Sequence, residues 1–279
     1  MYSVSILIPT YNQAAFISRA VESALSQDYE NIRIIISDDN SSDNTEQTLA
    51  CFLGDTKIRY KKNTTNLGRV ANYRQLLYEM AESDWVVNLD ADDYFTNESF
   101  ISQAINAIKE EGEKKVLFYQ GIHLKQNKEN ESRIFTELSS EKLSLPAYCY
   151  FLNYFENKHF SHMSTLYNRK DAIDSGFYQY DILSSDIFSV LQLCINKKNG
   201  VVILTKTISG VWFMHGANIS KTLSINVHLR NYFKYFNLYR QAIANDFNRI
   251  ACYKWIINAS KFYWLTYLNT LLKSLKVKL

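Results

Sequence analysis

The stretch VVNLDADDYF, residues 86–95, sets three carboxylates directly behind a short apolar run rich in valine. A run that is too brief for a helix and bounded by turn residues reads as a buried strand. Crowding negative charge at the end of such a strand is costly, because neighbouring carboxylates repel one another and lose their water. A cation removes that cost. If the strand stays extended through Asp90, Ala91 and Asp92, the carboxylates at i and i+2 project from one face and can share one ion. Carboxylate oxygens suit hard ions such as Mn2+ or Mg2+, which keep open positions for substrate phosphates. The plainer alternative makes Asp90 and Asp92 turn residues, with Asp93 capping the next element.

Outward from this stretch, SVSILI (3–8), IRIIIS (32–37), KIRYKK (57–62), WVVNL (85–89) and KVLFYQ (115–120) read as strands. Helical periodicity falls between them. In 13–27 the residues Phe16, Ile17, Ala20, Val21, Ala24 and Leu25 form one stripe, and further helices are expected over 70–81 and 98–112. In 38–53, Asp43 and Glu46 are spaced as an N-cap and its N3 partner. Strand and helix in alternation predict an α/β fold, with right-handed crossovers onto a mostly parallel, Rossmann-like sheet flanked by helices. Ligands of such sheets bind beyond the carboxyl ends of the strands. PTYN (9–12), DDNSSD (38–43) and DADD (90–93) are therefore expected to meet at one crevice. Residues 123–144 have little periodicity and read as a hairpin or a mobile excursion.

The chain has 279 residues, 47% of them hydrophobic, enough for a sizeable core without staples. Cys51, Cys149, Cys194 and Cys252 are scattered, which argues against a disulfide framework or a zinc site. A net charge of +3 is too mild to imply nucleic-acid binding. No basic leader precedes the first apolar run and Pro9 cuts it short, so neither a signal peptide nor a membrane span is expected there, and a cytoplasmic location is. An EF-hand reading of 38–45 fails, because Asp43 stands where glycine is required.

In order, VSILIPTYNQ (4–13), IIISDDNSSDNT (34–45), NLGRVANYRQLL (66–77) and VVNLDADDYF resemble the successive signatures of the inverting glycosyltransferases of family 2, which have the GT-A fold. The likeness is strong over residues 3–96 and patchier to about residue 220. It implies a GT-A catalytic domain over 1–221, with a nucleotide-sugar donor half (1–96) and an acceptor half (97–221), followed by a helical extension over 222–279. Position by position, it puts Pro9, Thr10, Tyr11 and Asn12 in the nucleotide site, Thr10 and Tyr11 flanking the base. Asp39 would accept the base N3–H, which suits uracil or thymine and not cytosine. Asp90, Ala91 and Asp92 would hold the diphosphate through Mn2+ or Mg2+, Asp92 being the stronger ligand. Asn66 and Gly68 match the loop before a donor-site helix, and Gly68 is free to adopt a left-handed backbone or permit close approach. Arg69 either reaches a phosphate oxygen or is a solvated helix-start residue.

The resemblance further implies that Asp186, at the start of the apolar helix in YDILSSDIFSVLQLCI (180–195), is the base that takes the acceptor's proton. The family often has an acidic pair and an aromatic there, whereas this chain has Ser185, Asp186 and Ile187; a helix N-cap is the alternative role, and Asp181 the back-up base. GVWFMHGANIS (210–220) resembles the segment that closes over the diphosphate, with His215 placed to bind metal or phosphate and Asn218 and Ser220 as helpers. Trp212 and Phe213 stand where the family often has tyrosine and arginine. His162, Ser164 and Thr165 fall where the acceptor sugar would lie.

Beyond Asp246 no acidic residue occurs, while Arg249, Lys254, Lys261, Lys273, Lys276 and Lys278 punctuate an aromatic, leucine-rich run. Its longest uncharged piece, 262–272, is too short to span a bilayer. It reads as an interfacial helix burying Trp255, Phe262, Trp264 and Leu268 at an anionic, cytoplasmic membrane surface, or as a helix packed on the domain or on a second copy. The expected activity is transfer of a sugar from a nucleotide donor, UDP-linked by preference, to a glycan or lipid-linked glycan in surface polysaccharide or glycoconjugate synthesis. Two rivals stand beside it. A nucleotidyltransferase would ordinarily carry a glycine-rich loop after the first strand, and residues 1–50 contain no glycine. A degenerate module would bind nucleotide or glycan without turnover.

Overall fold

The computed structural model describes residues 1–112, 115–126, 132–134, 140–157, 160, 162–215 and 225–276. Residues 1–96 run β1 (Val4–Thr10), α1 (Ile17–Leu25), β2 (Ile32–Asp38), α2 (Thr45–Leu49), β3 (Ile58–Lys62), α3 (Arg69–Gln75), a π-helical turn (Leu76–Met80), β4 (Trp85–Asn88) and β5 (Tyr94–Phe95). Then follow α4 (Phe100–Glu110), β6 (Val116–Gln126), β7 (Ser132–Ile134), β8 (Lys142–Pro146), α5 (Ala147–Asn157), a 3-10 turn (His162–Ser164) and β9 (Thr165–Asn168). The chain continues through α6 (Arg169–Asp174), α7 (Ser185–Asn196), β10 (Val201–Phe213), α8 (Ile225–Ala244) and α9 (Arg249–Lys276).

All these strands join one sheet in the order β3-β2-β1-β4-β9-β6-β10-β5, with β7 on β6 and β8 on β10. The first four are parallel, in a register that pairs Leu7 with both Ile35 and Asn88. Beyond β4 the expectation of a mostly parallel sheet fails: β9 runs antiparallel to β4 and to β6, and only β6 and β10 pair in parallel. The order of strands and helices along the chain does not reveal this, because β9 inserts between β4 and β6 although β5 to β8 lie between β4 and β9 in sequence.

Side-chain alternation divides the core. Ile6, Ile8, Ile34, Ile36 and Val87 pack with the buried stripe of α1 and with α4 on one face. Leu7, Ile35 and Val86 pack on the other with Val70, Tyr73, Leu76, Leu77 and Met80. Both faces are covered, which explains unbroken apolar runs in place of alternation. α8 and α9 share that second core: Tyr235, Leu238, Trp255 and Tyr263 are buried with Phe151 and Phe155 of α5.

Three local expectations change. The helix over 70–81 turns π-helical at Leu76. α2 ends at Leu49, and its N-cap position is Asn44; Asp43 instead accepts from the Thr45 and Ala14 amides, tying the turn to the loop after β1. The 123–144 stretch does contain a hairpin, β6 with β7, and adds β8 against β10.

Candidate active site

β2, β1 and β4 are adjacent and parallel, so their carboxyl ends fall on one edge. The three motif segments do meet there. The Asp39 amide donates to the Thr10 carbonyl at 2.8 Å. Asn12 adopts a left-handed φ of 54°, and its Oδ1 accepts from the Ser42 amide at 2.8 Å while its own amide donates to Ser41 Oγ. An asparagine tolerates that backbone because its short side chain bonds locally. Pro9 is partly buried and Ala91 fully so. Of the pair expected to flank the base, Tyr11 is 48% exposed, whereas Thr10 is buried and its hydroxyl has no partner among the described residues.

Asp38 and Asp39 divide their work. Asp38 is interior, accepting from the Ser41 amide and the Tyr60 hydroxyl. Asp39 clamps the next loop, taking the Leu67 amide on Oδ1 at 2.7 Å and the Gly68 amide on Oδ2 at 2.9 Å. Asn66 Oδ1 also accepts from the Gly68 amide, and Gly68 has φ +90°, a backbone that favours glycine. Arg69 is half-buried, and its guanidinium has partners inside the chain. Its Nη2 donates to the carbonyls of Ile182 and Leu183, at 3.1 and 2.9 Å.

β4 ends at Asn88, and residues 90–93 form a turn closed by the Asp93 amide on the Asp90 carbonyl. The extended i, i+2 geometry is therefore absent, yet the carboxylates converge: ligand oxygens of Asp90, Asp92 and Asp93 lie within 4.8 Å of one another. Burial pushes the Asp93 carboxyl well above the usual range, and the charges of Asp90 and Asp92 add to the effect. Asp92 is raised by burial and by Asp90, opposed by its bond to His215. A dication offsets each of these costs, so the donor set fits a hard metal ion. Asp90 accepts from the Tyr73 hydroxyl, and burial holds that phenol protonated. His215 Nε2 lies 2.8 Å from Asp92 Oδ2 and its ring stacks on Phe16, 4.6 Å between centroids.

Several site residues left no signal in the sequence. Arg19, on α1, donates to the Asp92 carbonyl and lies over the Tyr94 and Phe213 rings. Asp93 Oδ1 accepts the Phe213 amide, bracing the turn against β10. Gly210 completes this brace, because a Cβ there would sit 2.1 Å from the Tyr94 carbonyl oxygen.

Asp186 is half-buried in the first turn of α7 and caps nothing; the N-cap position is Ser184, without a side-chain cap bond. Its charge is felt by a group of tyrosine hydroxyls. Tyr73, Tyr154, Tyr167, Tyr178, Tyr235 and Tyr263 are all held protonated by burial, with the Asp186 charge adding to each shift. His162 bonds the Tyr178 hydroxyl at 2.7 Å, and burial lowers its pKa against the opposing pull of Asp186 and Asp90. Its ring lies 5.2 Å from that of Tyr73. Ser164 and Thr165 are fully buried, Ser164 bonding Ser209, so neither can touch an acceptor sugar. Asp181 is exposed. Asn218 and Ser220 lie outside the described residues.

At the C-terminus, Trp255 is stacked on Phe151 inside the core, which removes it from any external surface. Trp264, Leu265 and Leu268 remain exposed. They border a groove of about 550 Å3 between α8 and α9 that also takes in Phe236 and Lys261. No described helix is long and apolar enough to cross a membrane.

The sequence pattern that defines glycosyl transferase family 2 matches residues 5–176. An uncharacterized glycosyltransferase of Rickettsia typhi is 36% identical over 121 residues, 43% of this chain and 36% of the relative. WfaP of Escherichia coli, a UDP-Glc:alpha-D-GlcNAc-diphosphoundecaprenol beta-1,3-glucosyltransferase, is 39% identical over 103 residues, 37% of this chain and 40% of WfaP. The matches thus span well under half the length of either relative. Among solved structures, S. aureus TarS 1-349 in complex with UDP-GlcNAc superposes with a TM-score of 0.71 at 14% identity, over 91% of this chain and 70% of that one. The mannosyltransferase PcManGT from Pyrobaculum calidifontis, in complex with GDP-Man and Mn2+, gives 0.61 at 15% identity, over 99% and 75%. At such identities the likeness establishes the fold alone, and that fold is GT-A.

Proposed function

The chain belongs to glycosyl transferase family 2, and on that premise we propose that it moves a sugar from a nucleoside diphosphate donor to a glycan or lipid-linked glycan, inverting the anomeric centre. The observation that carries this reading is the convergence of Asp90, Asp92 and Asp93 at the end of β4, beside the loop held by Asp39. The base would lie against Tyr11 and the Asn12 segment, its N3–H offered to the Asp39 carboxylate. Uracil is favoured by that acceptor, and by the UDP-linked donors of WfaP and TarS. Asp92 and Asp90, with His215 adjacent, would hold Mn2+ or Mg2+, which when bound neutralises charge on the departing diphosphate.

Asp186 works from the opposite side. It takes the proton of the acceptor hydroxyl as that oxygen bonds to the anomeric carbon, and the bond from that carbon to the diphosphate breaks with its electron pair leaving on the nucleotide. One displacement at one carbon inverts it. The tyrosine hydroxyls and neutral His162 supply uncharged hydrogen bonding on the acceptor side, where a second base would compete. A lipid-linked acceptor is favoured by the diphosphoundecaprenol substrate in WfaP's name. For such an acceptor, a cytoplasmic chain would meet the membrane surface through exposed Trp264, Leu265 and Leu268 with Lys261.

The test is product analysis with a panel of UDP, GDP and TDP sugars, with and without Mn2+. Release of UDP, dependent on metal and lost in Asp92→Asn and Asp186→Asn, is expected. Pyrophosphate release from a nucleoside triphosphate and a sugar 1-phosphate, run alongside the panel, would favour nucleotidyl transfer instead, and nucleotide binding without turnover a non-catalytic module. Co-sedimentation with anionic vesicles, lost on replacing Trp264 and Leu268 by serine, tests the membrane contact separately.

A further inference from the structure

We infer that Arg69 is a positioning residue: it struts the segment carrying Asp186 against the loop that grips the nucleotide. The inference rests on the reading of Asp186 as base and of Asp39 as nucleotide contact. Its physical basis is one unbroken chain of bonds. Asp39 fixes the Leu67 and Gly68 amides, and Arg69, the next residue, opens α3. From there the guanidinium reaches the carbonyls of Ile182 and Leu183.

Those carbonyls stand just before α7, whose first turn holds Asp186. Within α7 itself the first turn is tied by the Ser189 hydroxyl, which donates to the Ser185 carbonyl at 2.6 Å and accepts the Tyr178 amide, while the segment just before it is reached from other elements. On the other side of the same segment the Leu183 amide donates to Asn231 Oδ1 at 3.3 Å, and Asn231 is buried on α8. Two side chains therefore hold 182–183 like a clamp, and Arg69 is the jaw that belongs to the donor half. A guanidinium suits this task because its terminal Nη2 carries two N–H donors held in the guanidinium plane, one for each carbonyl. Its charge also acts on both Asp186 and Asp90, which strengthen its protonation against the opposing effect of burial.

Removing the strut leaves Asp186 present but loosely placed, and misplacement by about 1 Å costs on the order of 10²-fold in rate. The experiment compares Arg69→Met, Arg69→Lys and Asn231→Leu with the parent chain, measuring kcat, acceptor KM, UDP affinity by calorimetry and Tm. For Arg69→Met a fall in kcat of about 10²-fold is expected, with UDP affinity held within about threefold. Lysine should restore only part of that loss, and Asn231→Leu should show the same split more weakly. A phosphate-contact role would instead weaken UDP binding and leave kcat intact, overturning the inference, as would parental kcat in Arg69→Met. Should Arg69→Met fail to fold, Asn231→Leu decides: parental kcat there overturns the clamp. Asp186→Asn is run in parallel; full turnover in it defeats the assignment of the base, whereas loss in it with parental Arg69→Met defeats the strut alone.

Discussion

On the side of the loops after β1 and β2, the candidate site residues are held by bonds between side chains and backbone: Asp39 by the Leu67 and Gly68 amides, Asn12 by Ser41 and Ser42. On the side of Asp186, buried tyrosines pack ring on ring, as in Tyr73 with Tyr178 at 5.3 Å, and bond through their hydroxyls to other side chains, as Tyr178 does to His162. The first construction fixes backbone loops to within a hydrogen bond's tolerance, which suits a ligand part that never changes. The second rests on ring packing and on bonds between side chains. The two sides meet at Tyr73, whose ring belongs to the aromatic wall and whose hydroxyl belongs to Asp90.

The sharpest way to break this comparison is to neutralise one carboxylate on each side. Asp186→Asn should lower kcat by about 10³-fold, within the range of general-base catalysis, while leaving UDP affinity and Tm unchanged in calorimetry. Asp39→Asn should do the reverse, turning an amide group toward backbone donors at a cost of about 1–3 kcal/mol in stability and weakening UDP binding. If both variants lose the same property, the two sides are not built differently.

Trp255→Ala should destabilise the chain by about 3–5 kcal/mol in denaturant titration, because its ring is stacked on Phe151 in the wall's support. A smaller effect separates the halves by acid. Burial, reinforced by Lys125, pushes the His123 pKa down to about 4, against about 6.5 unfolded. The unfolded chain then binds more protons between those values, so this contribution to stability is fully present above about pH 6.5 and is lost as pH falls toward 4. Between pH 6.5 and 5 the loss is about 2 kcal/mol; urea titrations of His123→Phe should show a correspondingly flatter pH dependence. The smallest expected change is Trp264→Ala, within about 0.5 kcal/mol, since that ring is exposed.

The donor half was legible because each motif follows its own strand: PTYN, DDNSSD and DADD sit at the ends of β1, β2 and β4, and strand adjacency brings them together. What escaped was whatever depends on contacts distant in sequence. Arg19 reaches Asp92 from α1, and Arg69 reaches carbonyls more than a hundred positions away; no periodicity encodes either. The turn at 90–93 defeated the extended-strand geometry and kept its purpose, because closing it draws Asp93 toward Asp90 and Asp92. In residues 97–221, polar residues in strand-like text proved to be interior: Ser164 bonds Ser209 and Thr165 is fully buried, and composition alone does not distinguish a satisfied hydroxyl from a waiting one. The aromatic, basic tail was read by its hydrophobic content, yet Trp255 and Tyr263 turn inward while Trp264 and Leu268 turn out.

The four tryptophans each occupy a different environment. Trp85 is buried where β4 begins, Trp255 lies in the helical core, Trp264 is exposed, and Trp212 sits at the end of β10 beside Lys125 and His123, next to the braced Phe213. Emission from a protein retaining only Trp212 would therefore follow events at the end of β10, one residue from the Phe213 amide that Asp93 holds, while one retaining only Trp255 would stay silent until the whole molecule opens. The molecule carries its own pair of optical reporters, and ligand arrival can be timed apart from unfolding without attaching a dye.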